Sequence, residues 1–282
     1  MKIAGSLSLL LVLFISSLCS SGQRSHSAGP EPTDTKSGIT ATYIANEGVL
    51  LTAGDKQVLI DALHREYKPD YAFPPPALLK SLESAVAPYD QIRLILVTHL
   101  HLDHFHPVSV GLHLQNNKHA ELVSSDQIVD GVKKDFTAFA EIEARVKRVP
   151  YQSKTKVPLN ISGIKLTCLG LKHASPHFNW IQNLGYIVEL NGKKFLHVGD
   201  ADLTVDNFAS LNLIDERIDV AFLPYWFLLS ASDRKIVETY IGPKQVVAVH
   251  VSPANAATVS AQVKAASPQA HTFTRILETK EF

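Results

Sequence analysis

Leu94 to Pro107 reads LILVTHLHLDHFHP. An apolar run, Leu94 to Thr98, delivers three histidines and one aspartate in the next six positions, at His99, His101, Asp103 and His104. Side chains alternate along an extended chain, so His99 and His101 point the same way. Asp103 and His104 reach the same space only if the strand breaks into a turn or helix start, which places the group at a strand end. A neutral imidazole offers one nitrogen and a carboxylate one oxygen, the donors that zinc takes and that iron and manganese also accept. A solvated histidine-rich loop would carry the same letters, but four potential ligands behind a buried-strand pattern favour a metal. His106, followed by Pro107, is expected outside the ligand set.

The 282 residues are 45% hydrophobic, enough to bury a large core in one α/β domain or two small ones. Lysine plus arginine balances aspartate plus glutamate at 27 each, so no global charge draws the chain to nucleic acid. Lys2, an apolar run from Leu7 to Ile15, and small residues from Ser16 to Gly22 follow the order of a signal peptide. The run is short for a membrane span. The expectation is therefore an exported protein, periplasmic or secreted, with a signal over 1–21, a flexible spacer over 22–38 and a folded domain over 39–282. Cys19 raises a lipid anchor, and the bulky Leu18 before it argues against one. After cleavage Cys168 is the remaining cysteine, so no internal disulfide forms; a buried free thiol is expected.

Short strands are expected at Thr42–Ala45, Gly48–Thr52 and Gln57–Ile60, close enough to pair antiparallel. Asp61 ends the third, either capping a turn or orienting a metal-binding histidine. His64 is expected on a surface or pocket rim. Pro69 to Ala77, with Pro74 to Pro76 in a row, must be an irregular loop, and its aromatics are candidates for a pocket mouth. Helices follow at Leu78–Ala87, Val108–Leu114 and Ser125–Val132, with strands at Ile92–Val97 and Ala120–Val123. Further strands are expected at Val157–Ile161, Ile164–Leu169, Leu184–Glu189, Lys194–Val198, Asp219–Leu223 and Gln245–Val249. Asn191-Gly192 is a hairpin signal between two of them. Helices at Ser232–Ile241 and Asn255–Ala265 complete a layout of two sheets packed face to face with helices outside.

Three more candidate ligands, His173, Asp200 and His250, each lie just beyond an apolar strand or at a loop mouth. With the H-x-H-x-D-H motif at His99, His101, Asp103 and His104, they make the chain resemble the metallo-β-lactamase superfamily from about Thr40 to His271. Within it the chain looks most like the branch of sugar-acid lactonases and the phospholipase D acting on N-acyl phosphatidylethanolamine. The resemblance implies an α/β fold, the four-layer αββα sandwich, and a two-metal site. His99, His101 and His173 would bind one ion, Asp103, His104 and His250 the other, and Asp200, in HVGDAD, would bridge them. Zinc is expected, with manganese or iron also compatible.

Such a pair holds a hydroxide that attacks a carbonyl or phosphoryl centre. The implied function is an exported metal-dependent hydrolase of a phosphodiester or of a lactone or ester bond, with Asp103 and Asp200 as catalytic carboxylates. True zinc β-lactamases lack the bridging aspartate, so Asp200 argues against that activity. Glyoxalase II-like thioester hydrolases share all seven ligands and remain an alternative, as does a non-catalytic metal-binding member. A flavodiiron-type oxidoreductase is disfavoured, since His101 stands where that class places glutamate. The expected partner is a small-molecule or lipid-derived substrate, with no nucleic acid and no stable transmembrane segment after signal cleavage. His177, Phe178 and Trp180 are candidate substrate contacts, Trp180 alternatively docking on the core; Tyr225 and Trp226 are further wall candidates.

Overall fold

Burial alternates along the strands, and that alternation sets the layers. In the computed structural model, which describes residues 38–282, β4 (Ile92–Leu96) turns Leu94 and Leu96 to one side and Ile95 to the other. Likewise β11 (Val220–Pro224) splits Val220 and Phe222 from Ala221 and Leu223, and β12 (Gln245–Val249) splits Val247 and Val249 from Ala248. Strands apolar on both faces must be covered on both, which is why they read as continuous runs.

The first sheet has the order β14-β1-β2-β3-β4-β5-β6. Its other members are β1 (Thr40–Ala45), β2 (Gly48–Ala53), β3 (Lys56–Ile60), β5 (Glu121–Ser125), β6 (Val146–Val149) and β14 (Thr279–Glu281). Pairing is antiparallel from β14 to β3 and parallel from β3 to β6. The second sheet has the order β13-β12-β11-β10-β9-β8-β7. It adds β7 (Lys156–Ile161), β8 (Ile164–Leu171), β9 (Asn183–Leu190), β10 (Lys193–His197) and β13 (His271–Thr272). There β7 to β10 are antiparallel and β10 to β13 parallel.

Three apolar clusters separate four layers. Tyr43, Leu51, Leu96, Tyr186, Phe195 and Phe222 belong to the cluster between the sheets. On the outer face of the first sheet pack α1 (Pro76–Glu83), α2 (Pro107–Asn116) and α3 (Asp126–Asp135), through Leu82, Val110 and Ile128. A third cluster holds Leu196, Phe208 and Phe227 on the outer face of the second sheet, with Val259 and Val263 of α4 (Ala256–Ala266). Fully burying each large apolar side chain contributes roughly 1.5–3 kcal/mol. The fold is the αββα sandwich expected from the sequence.

Differences lie at element ends and edges, and in short helices at Phe139–Ile142, Val205–Phe208 and Leu213–Glu216 that the sequence reading did not mark. The first helix stops at Glu83 rather than Ala87, because Ala85 turns to φ +48°. β6, β13 and β14 escaped the sequence reading: they are short, and β6 carries exposed Lys147 and Arg148 at a sheet edge. Pro158 sits in β7, an edge strand where a missing N–H is tolerated. The Asn191-Gly192 hairpin forms, both residues at positive φ as the turn requires. Cys168 is a buried free thiol, pushed up to about 12 by desolvation. The signal, spacer and Cys19 readings fall on residues 1–37, outside the described residues. Among the described residues no helix is long and apolar enough to cross a membrane.

Candidate metal centre

β4 ends at Leu96 and the chain turns at once: the N–H groups of His104 and Phe105 both donate to the His101 carbonyl, at 3.0 Å. That turn brings Asp103 and His104 back beside His99 and His101. The second sheet delivers its share at the same end. His173 follows β8 and Asp200 follows β10, and the two loops are tied by Ala174 N–H to Asp200 O (2.7 Å) and Asp202 N–H to Lys172 O (2.9 Å). His250 follows β12 at φ +62°, its N–H donating to Asn46 O at 3.0 Å.

The seven side chains converge into two groups. In one, His101 Nδ1 lies 3.0 Å from His99 Nε2 and 3.2 Å from His173 Nε2. In the other, Asp103 Oδ2 lies 3.5 Å from both His104 Nε2 and His250 Nε2. Asp200 belongs to both. Its Oδ2 faces His173 Nε2 at 3.6 Å and His99 Nε2 at 3.8 Å, while Oδ1 faces His250 Nε2 at 3.4 Å and His104 Nε2 at 3.5 Å.

These spacings fit a bound cation. A tetrahedral ion with bonds of about 2.0–2.1 Å holds its ligand atoms about 3.3 Å apart. Imidazole nitrogens that face one another with lone pairs have no reason to approach without one. The buried atoms Asp200 Oδ1 and His250 Nε2 also have no hydrogen-bond partner among the described residues.

In His99, His104 and His173 the other ring nitrogen is engaged so as to leave the facing lone pair free. Asp61 Oδ2 accepts from His104 Nδ1 (2.9 Å) and from Thr98 Oγ1 (2.6 Å), and Oδ1 accepts from the Thr98 N–H (2.7 Å). Thr98 Oγ1, having donated its proton, accepts from His99 Nδ1 at 2.9 Å. His173 Nδ1 donates to the Ala174 carbonyl. Each assigns the tautomer whose Nε2 points into the site. Of the two readings open for Asp61, the structure thus shows the orienting one.

Electrostatics follow burial and charge. Desolvation, aided by neighbouring histidines, holds His99 well below the ordinary imidazole range and brings His101 down to about 4, so both are neutral donors near pH 7. Burial opposes ionisation of Asp103 and Asp200. The attraction of His104 and His250 outweighs it, taking Asp103 down to about 2 and Asp200 well below its usual value. The two carboxylates make the second group a place that draws positive charge.

Asn46 and Glu47, in the β1–β2 turn, are site neighbours that sequence reasoning missed. Asn46 Nδ2 donates to Asp103 Oδ2 at 2.9 Å. Glu47 is fully buried 4.0 Å from His104 Nδ1, with neither carboxyl oxygen hydrogen-bonded, and desolvation raises it to about 8. Two polar residues between apolar Ala45 and Val49 were the available signal. His64 corrects an expectation: it is fully buried, not on a rim or surface, and desolvation takes it down to about 4. His197, the last residue of β10, is also buried, with Nε2 donating to Glu47 O at 2.9 Å.

Above the ligands lies a pocket of about 140 Å³, with His101, Asp103, His173 and Asp200 on its floor. Tyr67, Lys68, Tyr71 and Phe178 form the walls. Phe178 sets its ring against His101 (4.7 Å) and His173 (5.2 Å). The aromatic mouth expected of the proline-rich loop is met by Tyr71. His177, Trp180 and Tyr225 are not among the lining residues. His177 is exposed, Trp180 is 61% exposed rather than docked on the core, and Tyr225 packs edge-on against Trp226 at 5.4 Å. Trp226, not Tyr225, meets a site residue, its ring 5.0 Å from that of His250.

Comparison with known proteins agrees with this architecture. The model of the beta-lactamase superfamily domain matches residues 56–269, most of the chain. The chain belongs to the beta-lactamase superfamily. It is similar to a UPF0173 metal-dependent hydrolase of Thermus thermophilus, 29% identical over 224 residues, covering 75% of this chain and 83% of the relative. A UPF0173 metal-dependent hydrolase of Natranaerobius thermophilus is 27% identical over 218 residues, covering 74% and 81%. Among solved structures, a possible metal-dependent hydrolase from Veillonella parvula shares the fold with a TM-score of 0.59 at 18% identity, covering 87% of this chain and all of that one. This beta-lactamase superfamily member is a metal-dependent hydrolase, with clusters able to hold two divalent ions.

Proposed function

We propose that the protein is exported and cleaves a phosphodiester or a lactone or ester bond at a two-metal centre. His99, His101 and His173 would hold one ion, Asp103, His104 and His250 the other, and Asp200 would bridge them, with zinc favoured by the nitrogen-rich donor set. The observation that carries the reading is Asp200, which presents one carboxylate oxygen to each histidine group. Two ions held there would supply an activated water and a Lewis acid.

The chain's own residues do the rest. Asp200 fixes the spacing between the two groups from the end of β10. Asp103, fixed by Asn46 and open to the pocket floor, accepts a hydrogen bond from the attacking water and aims its lone pair at the bound substrate. Phe178 screens His101 and His173 from solvent on one side, and Tyr71 stands edge-on to His250 at 5.6 Å on the other.

The test is hydrolysis by the metal-loaded full chain of bis(4-nitrophenyl) phosphate, γ-butyrolactone and 4-nitrophenyl acetate, with S-lactoylglutathione as the thioester control. Turnover of a diester, lactone or ester that falls at least about a hundredfold in Asp200→Asn is expected. Cleavage of the thioester alone would move the protein to the glyoxalase II-like alternative, and a fully metallated protein inert on all four would make it a non-catalytic binder.

A further inference from the structure

Of the eight residues around the pocket, four are candidate metal ligands and three are aromatic; the eighth is a lysine. Lys68 is the cation among the residues lining the pocket, and its ammonium is not tied up in an ion pair with a carboxylate among the described residues. It is nevertheless held in place. Its ammonium lies 4.8 Å over the Tyr67 ring, and that ring stacks on Tyr71 at 6.1 Å. The Tyr71 N–H donates to the Lys68 carbonyl at 3.1 Å, closing a turn that carries both side chains to one wall.

The segment is anchored on each side. Upstream, Arg65 pairs with Glu83 at 2.8 Å and donates to Ser109 Oγ at 3.0 Å, while the His106 N–H donates to the Leu63 carbonyl at 2.9 Å. Downstream, Pro69 and the proline run restrict the backbone. The backbone that presents Lys68 is thus held in place before a ligand arrives.

We infer that Lys68 and Tyr71 form an anion grip, and that the substrate carries a negative charge beside the bond being cleaved. Lys68 brings an ammonium and Tyr71 a phenolic O–H to the same wall, one charged and one neutral donor above the floor. The opposite wall, Phe178, offers no polar group to compete. The volume of about 140 Å³ holds roughly five waters' worth of substrate, so a short anionic arm fits while a bulky one must project past the mouth. This rests on the hydrolytic reading above. It adds the charge that a neutral ester or lactone lacks, and both a carboxylate and the phosphodiester's own oxygen could supply it.

Two matched pairs separate those sources in the metal-loaded full chain. 4-Nitrophenyl hydrogen glutarate is compared with 4-nitrophenyl acetate, and bis(4-nitrophenyl) phosphate with its neutral methyl triester. In at least one pair, Lys68→Met should cut the anionic-to-neutral ratio of kcat/KM about fivefold, the worth of one partly exposed ion pair, with Lys68→Arg retaining it and metal content unchanged. The carboxylate pair alone responding identifies a carboxylate substrate, and the phosphate pair alone a diester. Ratios unmoved by Lys68→Met in both pairs overturn the grip. Should no compound be hydrolysed, the hydrolytic reading fails and the grip is judged by calorimetry: glutarate should bind wild type about fivefold tighter than Lys68→Met, and equal Kd values would refute it.

Discussion

Asp61 is not itself a proposed ligand, yet it accepts three hydrogen bonds that orient His104 directly and His99 through Thr98. Groups behind a metal-binding histidine are worth about 10–100-fold in metal affinity. Asp61→Ala should therefore weaken zinc binding by that factor, read by competition with a chromophoric chelator, while Asp55→Ala, on an exposed turn, should not. The sequence placed Asp61 at a strand end without deciding its role, because the partner Thr98 is distant in the chain and only the parallel pairing of β3 with β4 brings them together. His113 tests burial in the same way, away from the site. It is buried in α2 with Nδ1 donating to the Leu82 carbonyl at 2.6 Å, and desolvation takes it down to about 4. Between about pH 6.5 and 4 the unfolded chain takes up this proton and the folded one resists, so the contribution present above that window is lost as pH falls. The slope of Tm against pH across that window should be shallower in His113→Asn than in wild type.

The turns that deliver the ligands are built for backbone that most residues avoid. Gly199, one residue before Asp200, sits at φ +58°, and a Cβ there would lie 2.6 Å from Asn183 Oδ1 and 2.7 Å from Thr98 Cβ. Gly192 shares a positive φ, but nothing lies within 4 Å. Gly199→Ala should cost about 1–3 kcal/mol in denaturant unfolding and also weaken metal binding, since it displaces the Asp200 turn. Gly192→Ala should cost about 1 kcal/mol and leave metal binding intact. At this scale the strands and most helices were legible from alternation and turn residues. The short edge strands β6, β13 and β14 were not, because few residues and exposed charge give no alternation to read.

For the whole molecule, the site joins the two halves of the sandwich. The first sheet supplies His99, His101, Asp103 and His104, and the second supplies His173, Asp200 and His250. The spacing of the first four is local and was visible in one stretch of sequence. The other three come from loops separated by 27 to 50 residues, and apolar strands before them, with the family resemblance, were what marked them. Asn46, Glu47, His64 and Lys68 escaped that logic, since their placement depends on packing between elements rather than on any motif. Because ions held there would bridge both sheets, a metal at a hundred times its Kd should stabilise the fold by about 2.7 kcal/mol, seen as a rise in Tm that a chelator reverses.

The decisive measurement is elemental analysis of the purified full chain after reconstitution and desalting, beside Asp200→Asn and His99→Ala. Close to two divalent ions per wild-type chain, falling in both variants, is the expected result. Wild type that retains no metal, or variants that retain two, would contradict the two-ion centre and the catalytic roles built on it.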